Sequence, residues 1–399
     1  MDFELTADQQ AFLQELRAYL DSLDVAELGI RTDADAMDPF GAEAVATDEA
    51  TGEPKARTFI KQLGKDGWLG VGWPKEYGGG GRSHIEQWLF LEEMAHRRLP
   101  TGGLTISSIG PTIMRVGTEE QKRKYLPGML SGEIDFAVGY SEPNAGTDLA
   151  SLETRAERQG DEYIVNGQKI YTTAAHYATH IWLAVRTDET AVKHRGISVL
   201  IVPLNTPGIT VRPLYTQADI RTNEVFFEDV HVPVENRVGE ENMGWYIIAM
   251  ALDFERIFPY SGTARDFEEL IDWARQAHDD GQSLLDVEMV RDTLVPHAVD
   301  VEISRLFSLR TAWLTEEGEV PNVEASINKV WTSELRQRMT STALSLMGAA
   351  GQQGIGSDGA PLDGLFDQTY RFFPMGKFGG GTNEIQRNII AQRGLKLPR

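Results

Sequence analysis

At the stretch DEYIVNGQKIYTT, residues 161–173, the spacing of apolar residues along the chain changes from that of helices to that of β-strands. The stretch holds Asn166 and Gly167 between two runs that are rich in β-branched and aromatic residues, which predicts a hairpin turn at this pair. The segments HIWLAVRT, GISVLIVPL and NEVFFEDVHVP follow as further predicted strands. Residues 134–238 are therefore expected to form a small β-domain.

Helical patterns flank this β-domain on both sides. The segment TADQQAFLQELRAYLDSL opens with a capping box at Thr6 and Gln9 and keeps its apolar residues at helical spacing. Further helices are predicted at about 242–278, 284–316 and 321–348, and from Glu384 onwards. Residues 31–54 are rich in Asp, Ala and Gly, which predicts a loop or a loosely ordered insert. We thus predict an α+β chain with a helical domain at 1–133, a β-domain at 134–238 and a helical bundle at 239–399.

Composition excludes several classes of function. The 399 residues carry 38 Lys and Arg against 60 Asp and Glu, a net charge of −22, which argues against nucleic-acid binding. The chain has no cysteine, so disulfides and thiolate chemistry are excluded. His176 and His180 lie four residues apart but lack the glutamate of a zincin helix, so no metal site is predicted. With no signal peptide and no apolar run of about 18 residues, we predict a cytoplasmic protein without membrane insertion.

Two segments have compositions typical of ligand sites. GYSEPNAGTDLASL, residues 139–152, surrounds a Pro and a Gly with small polar residues and could offer N–H groups and hydroxyls to a planar ligand. A surface turn explains the same composition equally well. ALDFERIFP, residues 251–259, places Glu255 among apolar residues, where desolvation would raise its pKa as a general base often requires. A structural pair with a nearby arginine is the commoner use of such a glutamate.

The chain resembles the acyl-CoA dehydrogenase family over nearly its whole length. The motifs that carry the resemblance are GYSEPNAGTDLASL, GDEYIVNGQKIYTT, GWYIIAMALDFER and GGGTNEIQR. The resemblance implies an N-terminal helical domain, a central β-barrel-like domain and a C-terminal four-helix bundle. It also implies FAD as cofactor and α,β-dehydrogenation of an acyl-CoA thioester to a trans-2-enoyl-CoA, with electrons passed to an electron-transfer flavoprotein.

The resemblance also implies roles for individual residues. Thr147 would lie near the pantetheine arm of the substrate, and Asp253 and Arg256 would contact or support the CoA site. The residues that would line FAD are Val138, Tyr140, Ser141, Tyr171, Thr173, Thr382 and Glu384.

The position of the catalytic base departs from the commonest family pattern. Many members carry the glutamate in a YEGT motif, and here Gly380 stands in its place. A minority of members place it on a helix in a Glu-Arg pair, which Glu255 and Arg256 match. The resemblance therefore implies that Glu255 is the base and that the N–H of Gly380 donates to the thioester oxygen.

A second departure concerns assembly. Family members usually carry RxxFG and QxxGGxG elements that reach the FAD of a neighbouring subunit. Here the corresponding stretches read AHDDG (277–281) and SLMGAAG (345–351), and Asp279 and Asp280 would repel a pyrophosphate. This implies a paralogous partner subunit that completes the FAD site in an α2β2 heterotetramer. Such an assembly resembles the actinobacterial steroid side-chain acyl-CoA dehydrogenases, which implies a bulky steroid-derived acyl-CoA as substrate.

Several alternatives remain open at the level of sequence. The chain could be a catalytically silent subunit of such a complex, or a dehydrogenase that acts on an acyl chain held by a carrier protein. A flavin oxidase or monooxygenase of the same fold, and a pure acyl-CoA-binding module, are also compatible with the sequence.

Overall fold

The computed structural model describes residues 4–25, 55–254, 259–279 and 281–398, and the chain divides into two compact units. The β-sheet unit comprises Phe40–Gly81 and Thr101–Glu255. The helical unit comprises Met1–Pro39, Arg82–Pro100 and Arg256–Arg399. The loop predicted at 31–54 lies outside the described residues, and the three predicted domain boundaries stay a prediction.

The regular elements of the described residues are eleven α-helices and ten strands. The helices are α1 (Ala7–Ser22), α2 (Lys55–Lys65), α3 (His84–His96), α4 (Gly110–Val116), α5 (Glu119–Leu130), α6 (Gly244–Phe254), α7 (Ser261–Gln276), α8 (Glu288–Glu316), α9 (Asn322–Met347), α10 (Leu365–Phe372) and α11 (Asn383–Ile389). The strands are β1 (Phe136–Gly139), β2 (Arg155–Gln159), β3 (Glu162–Lys169), β4 (His180–Arg186), β5 (Ile197–Pro203), β6 (Ile209–Tyr215), β7 (Arg221–Pro233), β8 (Arg237–Val238), β9 (His278–Asp279) and β10 (Gln282–Ser283). The predicted α+β class is confirmed.

Strands β1 to β8 form one sheet in the β-sheet unit. Its order is β6-β7-β3-β2-β4-β5-β8, and β1 pairs in parallel with β4. Strands β4 and β5 are buried along nearly their whole length, and their sequences are accordingly continuous apolar runs rather than alternating ones. This confirms the strands predicted from HIWLAVRT and GISVLIVPL.

The hairpin turn predicted at Asn166 and Gly167 is wrong. Both residues lie inside β3, and the β2–β3 hairpin turns instead between Gln159 and Glu162. The register of β3 against β7 shifts between Val165 and Gly167, which is the signature of a bulge. A Cβ on Gly167 would come within 2.6 Å of the Thr154 hydroxyl oxygen, so the glycine permits close approach inside the sheet rather than a reversal of the chain.

The helical unit follows the predicted periodicity closely. α8 and α9 form a long pair, and α7, α10 and α11 pack on α9. The capping box predicted for α1 is confirmed, since Thr6 Oγ1 accepts from Gln9 N at 3.3 Å and Gln9 Oε1 accepts from Thr6 N at 2.9 Å. The helical segment predicted over 242–278 contains two helices, α6, which ends at Phe254 in the β-sheet unit, and α7, which begins at Ser261 in the helical unit.

A buried charge cluster joins three helices of this unit. Arg98, just after α3, donates to Asp266 at 2.9 Å and to Glu269 at 2.8 Å on α7. Arg336 on α9 donates to the other oxygen of Asp266 at 2.8 Å and covers the Phe373 ring at 4.0 Å. Asp266 is 1% exposed, so its two arginines compensate a charge that water does not reach.

No helix within the described ranges combines the length and the apolar character needed to cross a membrane.

A histidine near the start of β4 is held neutral by its surroundings. The His180 ring stacks on Phe136 at 5.3 Å and meets the edge of Tyr125 at 5.5 Å. Burial, with a smaller contribution from the charge of Lys124, lowers the pKa of His180 to about 4.

This histidine predicts a pH dependence of stability. The unfolded chain binds a proton on His180 near pH 6.5, whereas the folded chain does so only near pH 4. The contribution of neutral His180 to the stability of the fold is therefore complete above pH 6.5 and is lost as the pH falls towards 4. We expect the free energy of unfolding in urea to fall by about 2 kcal/mol more between pH 7 and pH 5 in the wild type than in His180→Phe. Identical pH curves for both proteins would contradict the assignment.

Candidate active site

A buried ion pair fixes the segment that follows β1. Lys169 Nζ, at the end of β3, donates to Glu142 Oε1 at 2.7 Å and to the Tyr140 carbonyl at 3.1 Å. Glu142 also accepts from the backbone N–H groups of Glu153 at 2.6 Å and Thr154 at 2.9 Å. The loop from residue 140 to 154 is thereby tied to the sheet at both of its ends.

The two charges of this pair are maintained against burial. Burial alone would raise the pKa of Glu142, but the Lys169 ammonium and the hydrogen bonds from Thr154 and Glu153 hold it below its usual range. Burial lowers the pKa of Lys169 to about 8 despite the neighbouring carboxylate. Both groups are therefore charged at neutral pH. This pair was not among the predicted site residues, although the alternation of β3 places Lys169 on the inward face with Tyr163 and Val165.

Three predicted cofactor residues lie at the end of β1. Val138 is in β1, and Tyr140 and Ser141 follow it, all three half-buried. Trp182 Nε1 donates to the Tyr140 hydroxyl at 3.0 Å, and the Ile170 N–H donates to the Ser141 carbonyl at 2.9 Å. The backbone is thus held, while the Ser141 hydroxyl has no hydrogen-bond partner among the described residues.

The predicted stacking residue Tyr171 is forced outwards by its neighbours. Thr172 exchanges hydrogen bonds with Asn223 of β7, whose carbonyl accepts from the Thr172 N–H and whose Nδ2 donates to the Thr172 carbonyl, both at 3.0 Å. Tyr171 has a φ of +56°, which is uncommon for a side chain of this size, and is 64% exposed. Strain of this kind concentrates at functional sites.

The segment after β1 and the segment after β3 form one edge of the β-sheet unit. The bond from Ile170 to Ser141 places residues 140–141 beside residues 170–173, where Thr173 Oγ1 lies 3.2 Å from Thr222 Oγ1. Thr147 is exposed on the loop beyond and is not held against this edge by any hydrogen bond among the described residues.

Of the predicted base and its neighbouring CoA contacts, only Asp253 lies within the described residues. Asp253 lies in the last turn of α6, and Glu255 and Arg256 lie outside the described residues. Ser108, in the π-helical turn Thr105–Ile109, donates its hydroxyl to the Ala251 carbonyl at 2.7 Å. Ser108 was not among the predicted residues, because no local pattern in the sequence shows which helix end its hydroxyl meets.

The helical unit presents a glycine turn, residues 378–382, before α11. Gly380 and Gly381 have φ values of +63° and +88°, which favour glycine, and a Cβ on Gly380 would meet nothing within 4 Å. The Gly380 N–H has no hydrogen-bond partner among the described residues. Thr382 is the N-cap of α11, its hydroxyl accepting from the Ile385 N–H at 3.2 Å, and Glu384 is exposed.

The edge of the β-sheet unit fits a planar heterocycle with a polar rim. It offers the exposed Tyr171 ring and a Ser141 hydroxyl, which has no hydrogen-bond partner among the described residues. An isoalloxazine ring has the apolar face and the acceptor atoms that such a set would bind. Fold and site together define a flavin-dependent oxidoreductase.

The chain belongs to the acyl-CoA dehydrogenase family, whose members bind FAD and oxidise CH–CH bonds. Sequence models of the N-terminal, middle and C-terminal domains of acyl-CoA dehydrogenases match residues 34–133, 137–230 and 242–395. The predicted family, cofactor and class of enzyme are thereby confirmed.

Relatives of this chain match it from end to end. It is 41% identical over 415 residues to acyl-CoA dehydrogenase FadE26 of Mycobacterium tuberculosis, covering 100% of this chain and 99% of the relative. The solved structure of the Tcur3481-Tcur3483 steroid ACAD matches with a TM-score of 0.88 and 39% identity, covering 100% of both chains. The ChsE4-ChsE5 complex of M. tuberculosis matches with a TM-score of 0.88 and 40% identity, again over 100% of both chains.

The buried pair predicts the behaviour of Glu142→Gln. Removing the carboxylate leaves the Lys169 ammonium buried without a counter-charge, which should destabilise the protein by about 3 kcal/mol and release FAD. Urea unfolding and the flavin absorbance retained after gel filtration measure the two effects.

Two further variants control for this effect. Glu162→Gln removes an exposed carboxylate from β3 and should behave as wild type. Glu142→Gln combined with Lys169→Met removes both charges and should recover part of the stability. Equal stability of the single and double variants would contradict the predicted role of the pair.

Proposed function

We propose that this protein catalyses the α,β-dehydrogenation of an acyl-CoA thioester with Glu255 as the general base. The observation that carries the proposal is the glycine turn. Gly380 occupies the place where many family members carry the base, and it presents an N–H without a side chain. A carboxylate from another segment must then supply the base, and Glu255 with Arg256 matches the helical alternative.

The proposed chemistry needs two groups of this chain at the thioester. The α-proton is weakly acidic, so the Gly380 N–H donates to the thioester oxygen as enolate character develops. Glu255 accepts the α-proton. FAD, when bound, supplies the acceptor for the β-hydride.

The proposed site also has residues that bind and orient. Thr147, Asp253 and Arg256 bind the CoA part of the substrate. The residues proposed to line FAD are Val138, Tyr140, Ser141, Tyr171, Thr173, Thr382 and Glu384.

We propose a steroid side-chain acyl-CoA as the substrate class. Support comes from the steroid ACAD of the Tcur3481-Tcur3483 pair, which is 39% identical to this chain over its whole length. We further propose that electrons pass to an electron-transfer flavoprotein. A solved structure named for the electron-transferring flavoprotein of Acidaminococcus fermentans contains a chain that is 26% identical, with a TM-score of 0.82.

We propose that a paralogous subunit completes the FAD site. The stretches at 277–281 and 345–351 lack the Arg, Phe and Gln with which family members reach a neighbour, and two similar solved structures are named for pairs of proteins. Val295 and Val299 are one turn apart on α8, and each is more than half exposed in the single chain, at 59% and 55%. An apolar face of this kind supports burial by another subunit.

The base assignment predicts a selective loss in Glu255→Gln. The amide cannot accept the α-proton at neutral pH, so kcat should fall by at least about 10³-fold while FAD stays bound. Stopped-flow bleaching of the flavin by substrate under anaerobic conditions measures this directly. Glu268→Gln, an exposed carboxylate on α7, is the matched control and should bleach at the wild-type rate.

Wild-type bleaching in Glu255→Gln would refute the assignment. Absence of bleaching in the wild type, with FAD bound and the partner present, would favour a silent subunit. Rapid reoxidation of the reduced flavin by air would favour an oxidase.

The proposed heteromer predicts a shortage of flavin in the isolated chain. Expressed alone, the protein should hold well under one FAD per protomer, because it lacks the groups that reach across to a neighbour's cofactor. Expressed with its genomic neighbours, it should purify as a complex of two kinds of chain with increased flavin content. Mass photometry and the flavin-to-protein absorbance ratio measure both quantities. A fully active homotetramer with one FAD per chain would contradict the proposal.

A further inference from the structure

The contacts within the glycine turn determine its path only weakly. The N–H groups of Phe378 and Gly379 donate to the Met375 carbonyl at 3.0 Å and 2.8 Å. Thr382 is held at the far end as the N-cap of α11. Between these two ends, the Gln386 side chain approaches the Gly380 and Gly381 carbonyls at 3.4 Å and 3.5 Å, which is the outer limit of a hydrogen bond. Two successive glycines with positive φ have wide conformational freedom. The direction of the Gly380 N–H must therefore be fixed from outside the turn.

A single lysine side chain of α9 contacts both sides of this turn. Lys329 Nζ donates to the Lys377 carbonyl at 3.1 Å and to Asn383 Oδ1 at 2.7 Å. Lys377 is the residue before the glycine turn, and Asn383 is the residue after it. Lys329 is only 6% exposed, so both bonds lie away from bulk water.

The acceptor on the far side of the turn is itself held in one orientation. Asn383 Nδ2 donates to Ser333 Oγ at 3.0 Å and to Glu334 Oε1 at 3.3 Å, and the residue is 2% exposed. Because Nδ2 has these acceptors, Oδ1 is the atom that faces the ammonium. Ser333 lies one helical turn beyond Lys329, so a single face of α9 forms the whole support.

The charge of Lys329 is costly to bury here. None of the described carboxylates lies within ion-pair distance of its Nζ, and those of Glu384 and Glu334 act on it only from further away. Burial lowers its pKa to about 8 against the opposing effect of these two groups. An apolar side chain of the same length would fill the space at less cost. The ammonium therefore contributes something other than packing, and its directed hydrogen bonds are what a methionine could not supply.

We propose that Lys329 is a positioning residue that sets the direction of the Gly380 N–H by clamping the two ends of the glycine turn. The proposal rests on the proposed function, in which this N–H donates to the thioester oxygen. Lys329 itself touches neither substrate nor cofactor in this role. Its effect is felt in the transition state, because a displacement of about 1 Å in a donor of this kind weakens its bond to the developing oxyanion.

The test compares Lys329→Met with Arg387→Met in the protein purified with FAD and its partner subunit. Lys329→Met keeps the length of the side chain and removes the donor. We expect kcat to fall at least about tenfold with KM changed less than about threefold and FAD retained, because the lost interaction is made mainly in the transition state. Arg387 also joins α11 to α9, through Glu334 at 2.7 Å, but its side chain is 51% exposed. Its removal should change kcat less than about twofold.

A spectroscopic measurement separates positioning from general structural damage. A substrate labelled with ¹³C at the thioester carbonyl, bound to the protein with its flavin already reduced, reports the strength of the hydrogen bond to its oxygen through the infrared stretching frequency. In the wild type and in Arg387→Met the stretch should lie below its value in water. In Lys329→Met it should move back towards that value.

The outcomes distinguish this proposal from the proposed function. Wild-type kcat and carbonyl frequency in Lys329→Met overturn the role of Lys329 alone. No shift in the wild type overturns the role of the Gly380 N–H, and the role of Lys329 falls with it. If Lys329→Met does not fold, Asn383→Ala removes one acceptor and keeps the lysine. It should then reproduce the fall in kcat and the loss of the shift, and wild-type values in that variant overturn the proposal.

Discussion

The ion pair between Glu142 and Lys169 is the interaction on which the candidate site depends. It couples the loop after β1 to the last residue of β3, and the chain on either side carries the half-buried Tyr140 and Ser141 and the exposed Tyr171. A pair of opposite charges suits this task because the carboxylate accepts several backbone N–H groups at once. Apolar packing would also stabilise the loop, but it would not fix the direction of individual carbonyl and hydroxyl groups.

The helical unit also uses a buried lysine to hold a polar turn. In both units an ammonium at the end of a buried lysine reaches from a regular element to a polar turn and satisfies a backbone carbonyl there, at Tyr140 in one case and at Lys377 in the other. The pKa of each lysine is lowered to about 8 by burial. The units differ in the counter-charge, because Lys169 has Glu142 beside it whereas Lys329 has a neutral amide oxygen.

The sequence predicts the elements better than it predicts the contacts. Continuous apolar runs identify β4 and β5, and helical spacing identifies α8 and α9, because burial of a face leaves a periodic trace in the chain. The Asn166-Gly167 pair predicts a turn that does not form. From sequence alone, a glycine that allows close approach inside a sheet cannot be distinguished from one that reverses the chain. Glu142, Ser108 and Lys329 carry no local pattern, and for Lys169 the alternation of β3 indicates an inward position but not its partner. Glu142 and Lys169 lie 27 residues apart, and Ser108 lies 143 residues from Ala251. Lys329 lies 48 and 54 residues from its two acceptors. Contacts between residues so far apart in sequence are seen only in the folded structure.

The left-handed backbone at Gly380 limits which residues this position holds without strain. With φ at +63°, any other L-residue at this position carries a penalty of about 1 kcal/mol or more before its side chain makes a contact. A glutamate placed here by a single substitution would carry this penalty unless the path of the turn changed with it. A side-chain base at this position therefore brings backbone strain with it, whereas glycine presents the N–H alone without that strain.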